Sequence, residues 1–286
     1  MNQKKHTVRT IQQMRDNGET ITMLTAYDYP TAKQINDAGI DMILVGDSCA
    51  MVVHGHPNTL TATMDMMVLH CAAVARGCNR TMVVADMPFG SFQYGIEETM
   101  RNAARFVTEA KVDAVKFEAT PRHIEKTRAI VEMGIAVVGH VGLHPQAVGA
   151  LGGLTVQGKS VETARKVVRE ALALQEAGVF AIIFEAVPAK LSAYVTRKLR
   201  VPTISIGGGP GCSGQLLVTP DVLGMFDAFT PGFAKRYQDF NGLMKETFAR
   251  YAEEVRTGVF PGEEHSYKMS DEVLEAIEKE FGAASA

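Results

Sequence analysis

Apolar residues in this chain come in short unbroken runs rather than alternating with polar ones. Such runs lie near 21–27 (ITMLTAY), 42–47, 82–87, 114–118, 136–140, 181–187, 203–206 and 215–218. A strand with one wet face alternates, so continuous Val/Ile/Leu-rich runs predict strands buried on both faces, as in a parallel sheet. Helix-like segments separate most of the runs, and β-α alternation demands crossover connections. Eight strands in 286 residues predict an α/β fold, a (β/α)8 TIM barrel, whose usual length is roughly 250 residues. The rival is an open doubly wound sheet, which would also place a site at the carboxyl edge of its strands. The seventh helix is the weak link, because only GGGPGCSG separates strands seven and eight.

The two ends read differently from the middle. MNQKKHTVRTIQQMRDNGE has no apolar h-region and reads as a short amphipathic helix that caps the barrel bottom. GFAKRYQDFNGLMKETFARYAEEVRTG, after residue 231, spaces apolar and aromatic residues at helical intervals and is expected to be the last barrel helix. SDEVLEAIEKEFG then predicts a short terminal helix with Ser270 as N-cap and acids in its first turn. With no linker or low-complexity stretch, residues 1–286 are expected to form a single barrel domain with an N-terminal capping helix and a C-terminal helical appendage.

The chemistry sits where the apolar runs stop. MILVGDS ends in Asp47 and Ser48, MVVADMPF carries Asp86, AVKFEA carries Lys116 and Glu118, AVVGH ends in His140, and AIIFEAV carries Glu185. An ionisable group buried at a strand end costs several kcal/mol unless a metal, a substrate or another charge compensates it. One such residue is an accident of packing; five strand ends in succession indicate one shared site. Asp47, Asp86 and Glu118 supply hard oxygen donors from neighbouring strands, a set suited to Mg2+. Lys116 and Glu118 stand two apart and share a face. The lysine would neutralise a substrate carboxylate or a developing enolate, and Glu185, across the barrel, would act as a base. The bland alternative is an internal Lys116–Glu118 ion pair with the aspartates capping helices. His140 reads as a donor to substrate or as a satisfied core histidine. His54 and His56 form an HxH pair, but in a Gly/Pro/Asn loop beyond a strand, which favours a solvated or gating loop. The GGGPGCSG glycines lack a following lysine, so tight-turn geometry explains them as well as phosphate binding does.

Composition narrows the class. Hydrophobic residues make up 46%, charged residues 21%, and the net charge is -3, which leaves no footprint for nucleic acid or an anionic membrane. No apolar run is long enough to span a bilayer. The four cysteines show neither a CxxC pair nor zinc-ligand spacing, and are expected to be reduced thiols in a cytoplasmic protein.

The segments TAYDY, VGDS, GH followed by TL, DMPFGS, VKFE, GHVGLHPQ, GG followed by VQG, EAVP, IGGG, GQLLV and VFPGEE, in this order from about residue 20 to 265, make the chain resemble ketopantoate hydroxymethyltransferases. That family belongs to the phosphoenolpyruvate/pyruvate barrels and acts in pantothenate, hence coenzyme A, biosynthesis. The resemblance implies hydroxymethyl transfer from 5,10-methylenetetrahydrofolate to α-ketoisovalerate, giving ketopantoate by way of a Mg2+-stabilised enolate. It assigns Asp47, Asp86 and Glu118 to the metal, Asp47, Ser48, Asp86 and Lys116 to the keto acid, His140 to assistance near the substrate, and Glu185 to the base. It also implies a homodecamer. Two positions depart from the family pattern: Ser213 replaces an aspartate before GQ, and Gly232 interrupts a PKF motif. They leave the folate side open. The competing classes are a C–C lyase or phosphomutase of the same barrel group, a binuclear metallohydrolase using His54, His56, Lys116 and His140, and a non-catalytic binding barrel.

Overall fold

In the computed structural model, which describes residues 4–151, 153, 155–226 and 230–282, eight parallel strands close on themselves in sequence order. They are β1 (Ile21–Thr25), β2 (Met42–Val45), β3 (Met82–Asp86), β4 (Ala114–Lys116), β5 (Ala136–Gly142), β6 (Ala181–Glu185), β7 (Thr203–Ile206) and β8 (Gly214–Leu217). β8 pairs back onto β1 from Ile21–Gly214 to Leu24–Leu217, so no edge remains and the open doubly wound sheet is excluded. Gly152, part of the GG and VQG segments, lies outside the described residues.

The unbroken apolar runs follow from burial on two faces. Met42 and Leu44 belong to one core, inside the barrel, with Ile21, Met23, Met82, Val84, Ala114, Val138, Ile183 and Ile204. Ile43 and Val45 belong to another, between the strands and the helices, with Val83, Val115, Ile182 and Phe184. Side chains alternate along each strand, so one run feeds both cores. Helices 29–37, 64–77, 96–108, 124–132, 161–176 and 189–198 make the crossovers. Several start on a side-chain cap, as Asp28, Thr63 and Ser160 accept from the backbone N of Thr31, Met66 and Thr163.

The helix Val8–Asp16 buries Ile11 completely against the barrel-interior core, which is the predicted cap of the barrel bottom. Gln12 and Arg15 fasten it by donating to the carbonyls of Arg200 and Leu199, at 3.0 and 2.5 Å.

Residues 207–213 connect β7 to β8 without a helix, so the seventh helix is absent. Gly207 makes that turn possible. Its φ is +73°, and a Cβ there would stand 2.7 Å from the Phe233 ring.

By its contacts the chain divides into a unit of Met1–Tyr237 and a unit of Gln238–Ala286. The first ends with helix Thr219–Leu223, stopped by Gly224 at φ 64°. The expectation for residues 232–258 needs correction. Helix begins only at Phe240 and runs to Arg256, and it belongs to the second unit rather than following β8 in the barrel. Asp239 sets its start by accepting from Gly242 N at 3.2 Å. The terminal helix Asp271–Phe281 starts after Ser270, as expected, although the Ser270 side chain makes no cap bond.

Candidate active site

A two-residue period carries the strand interiors into the site. Val84, Ala114, Val138 and Ile183 face the barrel interior, and two positions further on stand Asp86, Lys116, His140 and Glu185. The alternation that packs the barrel therefore delivers one acid, one lysine, one histidine and a second acid to its carboxyl mouth. Asp47, Ser48 and Glu118 follow just beyond β2 and β4. All seven line one cavity of about 170 Å3, with Leu44, Ile183, Ile206, Leu216 and Val218 as apolar wall.

Lys116 lies at the centre. Its Nζ donates to Asp86 Oδ2 at 3.0 Å and stands equally far from Oδ1, but out of line for a second bond, so Asp86 Oδ1 is buried without a hydrogen-bond partner. Asp47 N donates to the same Asp86 oxygen at 3.2 Å, which sets the two aspartates side by side. The Tyr27 hydroxyl is 2.8 Å from Ser48 Oγ. On the far wall, Glu185 Oε2 is 3.2 Å from His140 Nε2, an approach that is likewise out of line for a hydrogen bond. The Lys116–Glu118 ion pair of the bland reading does not form; Lys116 pairs with Asp86, and Glu118 accepts from Gln146 N at 3.1 Å.

Asp47, Asp86, Glu118 and Glu185 gather around one ammonium in this pocket, which Asp221 also lines. Burial pushes Asp86 up to about 7, with Lys116 opposing and Asp47 adding to the rise. Burial raises Asp47, and raises Glu118 well above the usual carboxylate range. It lifts Glu185 to about 7. Burial opposes the Lys116 charge too, yet Asp86, Asp47, Glu118 and Glu185 together hold its pKa above the usual lysine value. His140 is held well below 6.5 by burial and by Lys116, and is therefore neutral. The acids lack positive charge, and an orphaned aspartate oxygen stands among them. Both features fit a divalent cation with hard oxygen ligands. Among the described residues no group of three or more His, Cys, Asp or Glu side chains could together hold one ion.

Two details of the backbone aim Glu185. Gly142 of β5 pairs with it at φ 99°, and a Cβ there would lie 2.2 Å from the Glu185 carbonyl oxygen, so only glycine fits. Ala186 follows with φ 48°, a left-handed conformation that costs a non-glycine residue on the order of 1 kcal/mol.

His54 and His56 do not join the site. Both are exposed, and His54 Nε2 meets His70 Nε2 at 2.8 Å, while His70 Nδ1 reaches the Tyr27 carbonyl at 2.6 Å. A binuclear centre built from His54, His56, Lys116 and His140 is thereby ruled out. Ser213 lies at the amino end of β8, bonded to Thr203, so that departure sits at the barrel bottom and not beside the site. Gly232 is exposed beside Phe233, which lines the cavity.

Gln146 belongs to the site although no motif chemistry announces it. Its Nε2 donates to Asp47 Oδ2 at 2.8 Å and to the Met87 carbonyl at 3.0 Å, while its backbone N serves Glu118. One residue of the loop after β5 thus ties together the loops after β2, β3 and β4. Its only sequence signal is a place in GHVGLHPQ, six residues beyond His140. His144, from the same segment, packs edge-on against the His140 ring at 5.2 Å.

Fold and pocket together define a (β/α)8 barrel enzyme with an acid-rich site at the carboxyl ends of its strands. The chain belongs to the ketopantoate hydroxymethyltransferase family, matched over residues 5–263. It is 48% identical to the 3-methyl-2-oxobutanoate hydroxymethyltransferase of Acetivibrio thermocellus over 275 residues, 96% of this chain and 97% of that one. Identity is also 48% to the enzyme of the same name from Enterococcus faecalis, over 96% of this chain and 99% of the relative. Among solved structures, a phosphonopyruvate hydrolase shares the fold with a TM-score of 0.59 at 14% identity, covering 96% of both chains.

Proposed function

We propose that this protein transfers a hydroxymethyl group from 5,10-methylenetetrahydrofolate to 3-methyl-2-oxobutanoate (α-ketoisovalerate), giving 2-dehydropantoate (ketopantoate) and tetrahydrofolate in pantothenate biosynthesis. Family membership supports the activity. The observation that carries the chemistry is Glu185, half-buried, lifted to about 7 and lining one cavity with the Asp86–Lys116 pair.

We assign a Mg2+ site to Asp47, Asp86 and Glu118, whose carboxylates would hold the ion directly or, for Glu118, through water. When bound, the ion would act as a Lewis acid toward a chelated 2-keto acid and make its C3 proton more acidic. The rest is the work of the chain. The Lys116 ammonium and Ser48 hydroxyl hold the carboxylate end, and the apolar wall takes the branched alkyl end and keeps water away. Glu185 accepts the C3 proton, and Lys116 steadies the negative charge that develops on the keto acid. Neutral His140 leaves the Glu185 carboxylate unpaired and therefore basic. The C3 electron pair forms the new C–C bond to the donor's methylene carbon as one of that carbon's two C–N bonds breaks, and the freed nitrogen takes up the proton that Glu185 removed. Water then replaces nitrogen on that carbon, so keto acid, donor and water become hydroxymethyl keto acid and tetrahydrofolate.

We further propose that the chain acts as one barrel domain with a helical appendage, in a homodecamer in the cytoplasm. The terminal helix supports assembly, as it exposes Val273, Leu274, Ile277 and Phe281. The four cysteines are free thiols, and among the described residues no helix is long and apolar enough to cross a membrane.

The deciding experiment follows deuterium into C3 of α-ketoisovalerate in D2O with Mg2+ and no folate. Exchange, followed by ketopantoate formation once the donor is added, is the expected result. Absence of both would overturn the proposal.

A further inference from the structure

We infer that a second cavity, of about 420 Å3 and formed by the loops after β2, β3, β4 and β5, docks the flat bicyclic nitrogen heterocycle of the one-carbon donor. The inference rests on the hydroxymethyl-transfer reading above.

Size makes the first case. Pockets for ligands as large as a folate run from roughly 300 to 1,000 Å3. The acid-lined cavity, at about 170 Å3, is matched to a small keto acid and leaves no room for a fused ring system beside it. The second cavity falls in the range, and it adjoins the first. Glu118 lines both, and Gln146, which lines the second, bonds to Asp47 and Glu118 of the first. A ring bound there would present its one-carbon unit across that shared wall.

Its chemistry suits such a ring. Phe89, 49% exposed, and buried Phe92 supply aromatic surface, and His123 packs edge-on to Phe92 at 5.3 Å. Stacking on exposed aromatic faces is how proteins hold flat heterocycles. At the polar end, Gln146 Oε1 is buried with no hydrogen-bond partner, because the amide nitrogen is already committed to Asp47 and the Met87 carbonyl. An acceptor so fixed, next to the Glu118 carboxylate, selects a ligand rich in N–H donors. The loop that carries the two phenylalanines is held in place beforehand. Lys126 Nζ donates to the carbonyls of Phe92, at 2.7 Å, and Tyr94, and Asn102 Nδ2 donates to Ser91 O at 2.8 Å.

The test separates the two cavities. Phe89→Ala should raise the KM for 5,10-methylenetetrahydrofolate about tenfold, the usual worth of one stacking face. Folate-independent C3 exchange, which reads the first cavity, should proceed. Phe89→Leu, which keeps apolar bulk but no aromatic face, should show the same split, and Phe89→Tyr should restore the donor KM. Calorimetric titration with tetrahydrofolate should show the same weakening in Phe89→Ala and Phe89→Leu. An unchanged donor KM in both variants, or a rise in Phe233→Ala instead, would overturn the inference while leaving the activity in place. No exchange by the wild-type protein would overturn both.

Discussion

Glu185 Oε2 and His140 Nε2 stand 3.2 Å apart, yet the approach is not aligned for a hydrogen bond, so the carboxylate faces a neutral ring that neither neutralises it nor occupies it. Burial keeps Glu185 near 7. Removing its charge should stop proton abstraction and leave keto-acid binding alone. Glu185→Gln is expected to bind α-ketoisovalerate with Mg2+ at near wild-type affinity and to lose on the order of 10²- to 10⁴-fold in C3 exchange. The ionised form is the base, so wild-type exchange should climb about tenfold per pH unit up to about 7 and level off above it. Wild-type exchange in the variant would pass the role to His140.

Lys116 should behave differently, because its ammonium serves bound substrate and developing charge alike. Lys116→Ala is expected to weaken keto-acid binding and lower turnover together, a split that steady-state kinetics on α-ketoisovalerate reads directly. A loss confined to kcat would show that the lysine acts only once the proton has left.

The metal assignment connects to stability. Asp86 and Glu185 have folded pKa values raised to about 7, above their unfolded values near 4. Their contribution to stability is therefore fully present below about pH 4 and is lost as pH rises through about 7. Metal-free protein should melt at a falling temperature between pH 5 and 8 as these acids ionise. Mg2+ should reverse that fall, raising the Tm more at pH 8 than at pH 5. Chelators should abolish activity and Mg2+ restore it. An equal Mg2+ response in Asp47→Ala, Asp86→Ala would place the ion elsewhere.

Assembly is checked by light scattering. The exposed Val273, Leu274, Ile277 and Phe281 of the terminal helix predict a large homo-oligomer at micromolar concentration. Replacing Leu274 and Ile277 by Glu should lower the mass; a wild-type monomer would refute the proposal.

Much of this molecule is written in local pattern. The doubled burial of each strand makes a continuous apolar run, and the two-residue period then decides which following residue points inward. Asp86, Lys116, His140 and Glu185 were therefore legible as one set, since each stands two places beyond a barrel-interior residue. The missing seventh helix was legible too, from the shortness of 207–213. What the sequence alone could not decide depends on contacts between distant parts of the chain. Gln146 meets Asp47 across 99 positions, and no periodicity encodes that pairing. The HxH pair read as a solvated or gating loop, yet nothing local encodes the meeting of His54 with His70. Residues 232–239 had helical spacing, yet the helix starts only at Phe240, behind Asp239, whose side chain accepts from Gly242 N. The charge state of the site belongs wholly to tertiary structure, for an aspartate reaches about 7 only when closure of the barrel removes water from around it and brings a second aspartate alongside.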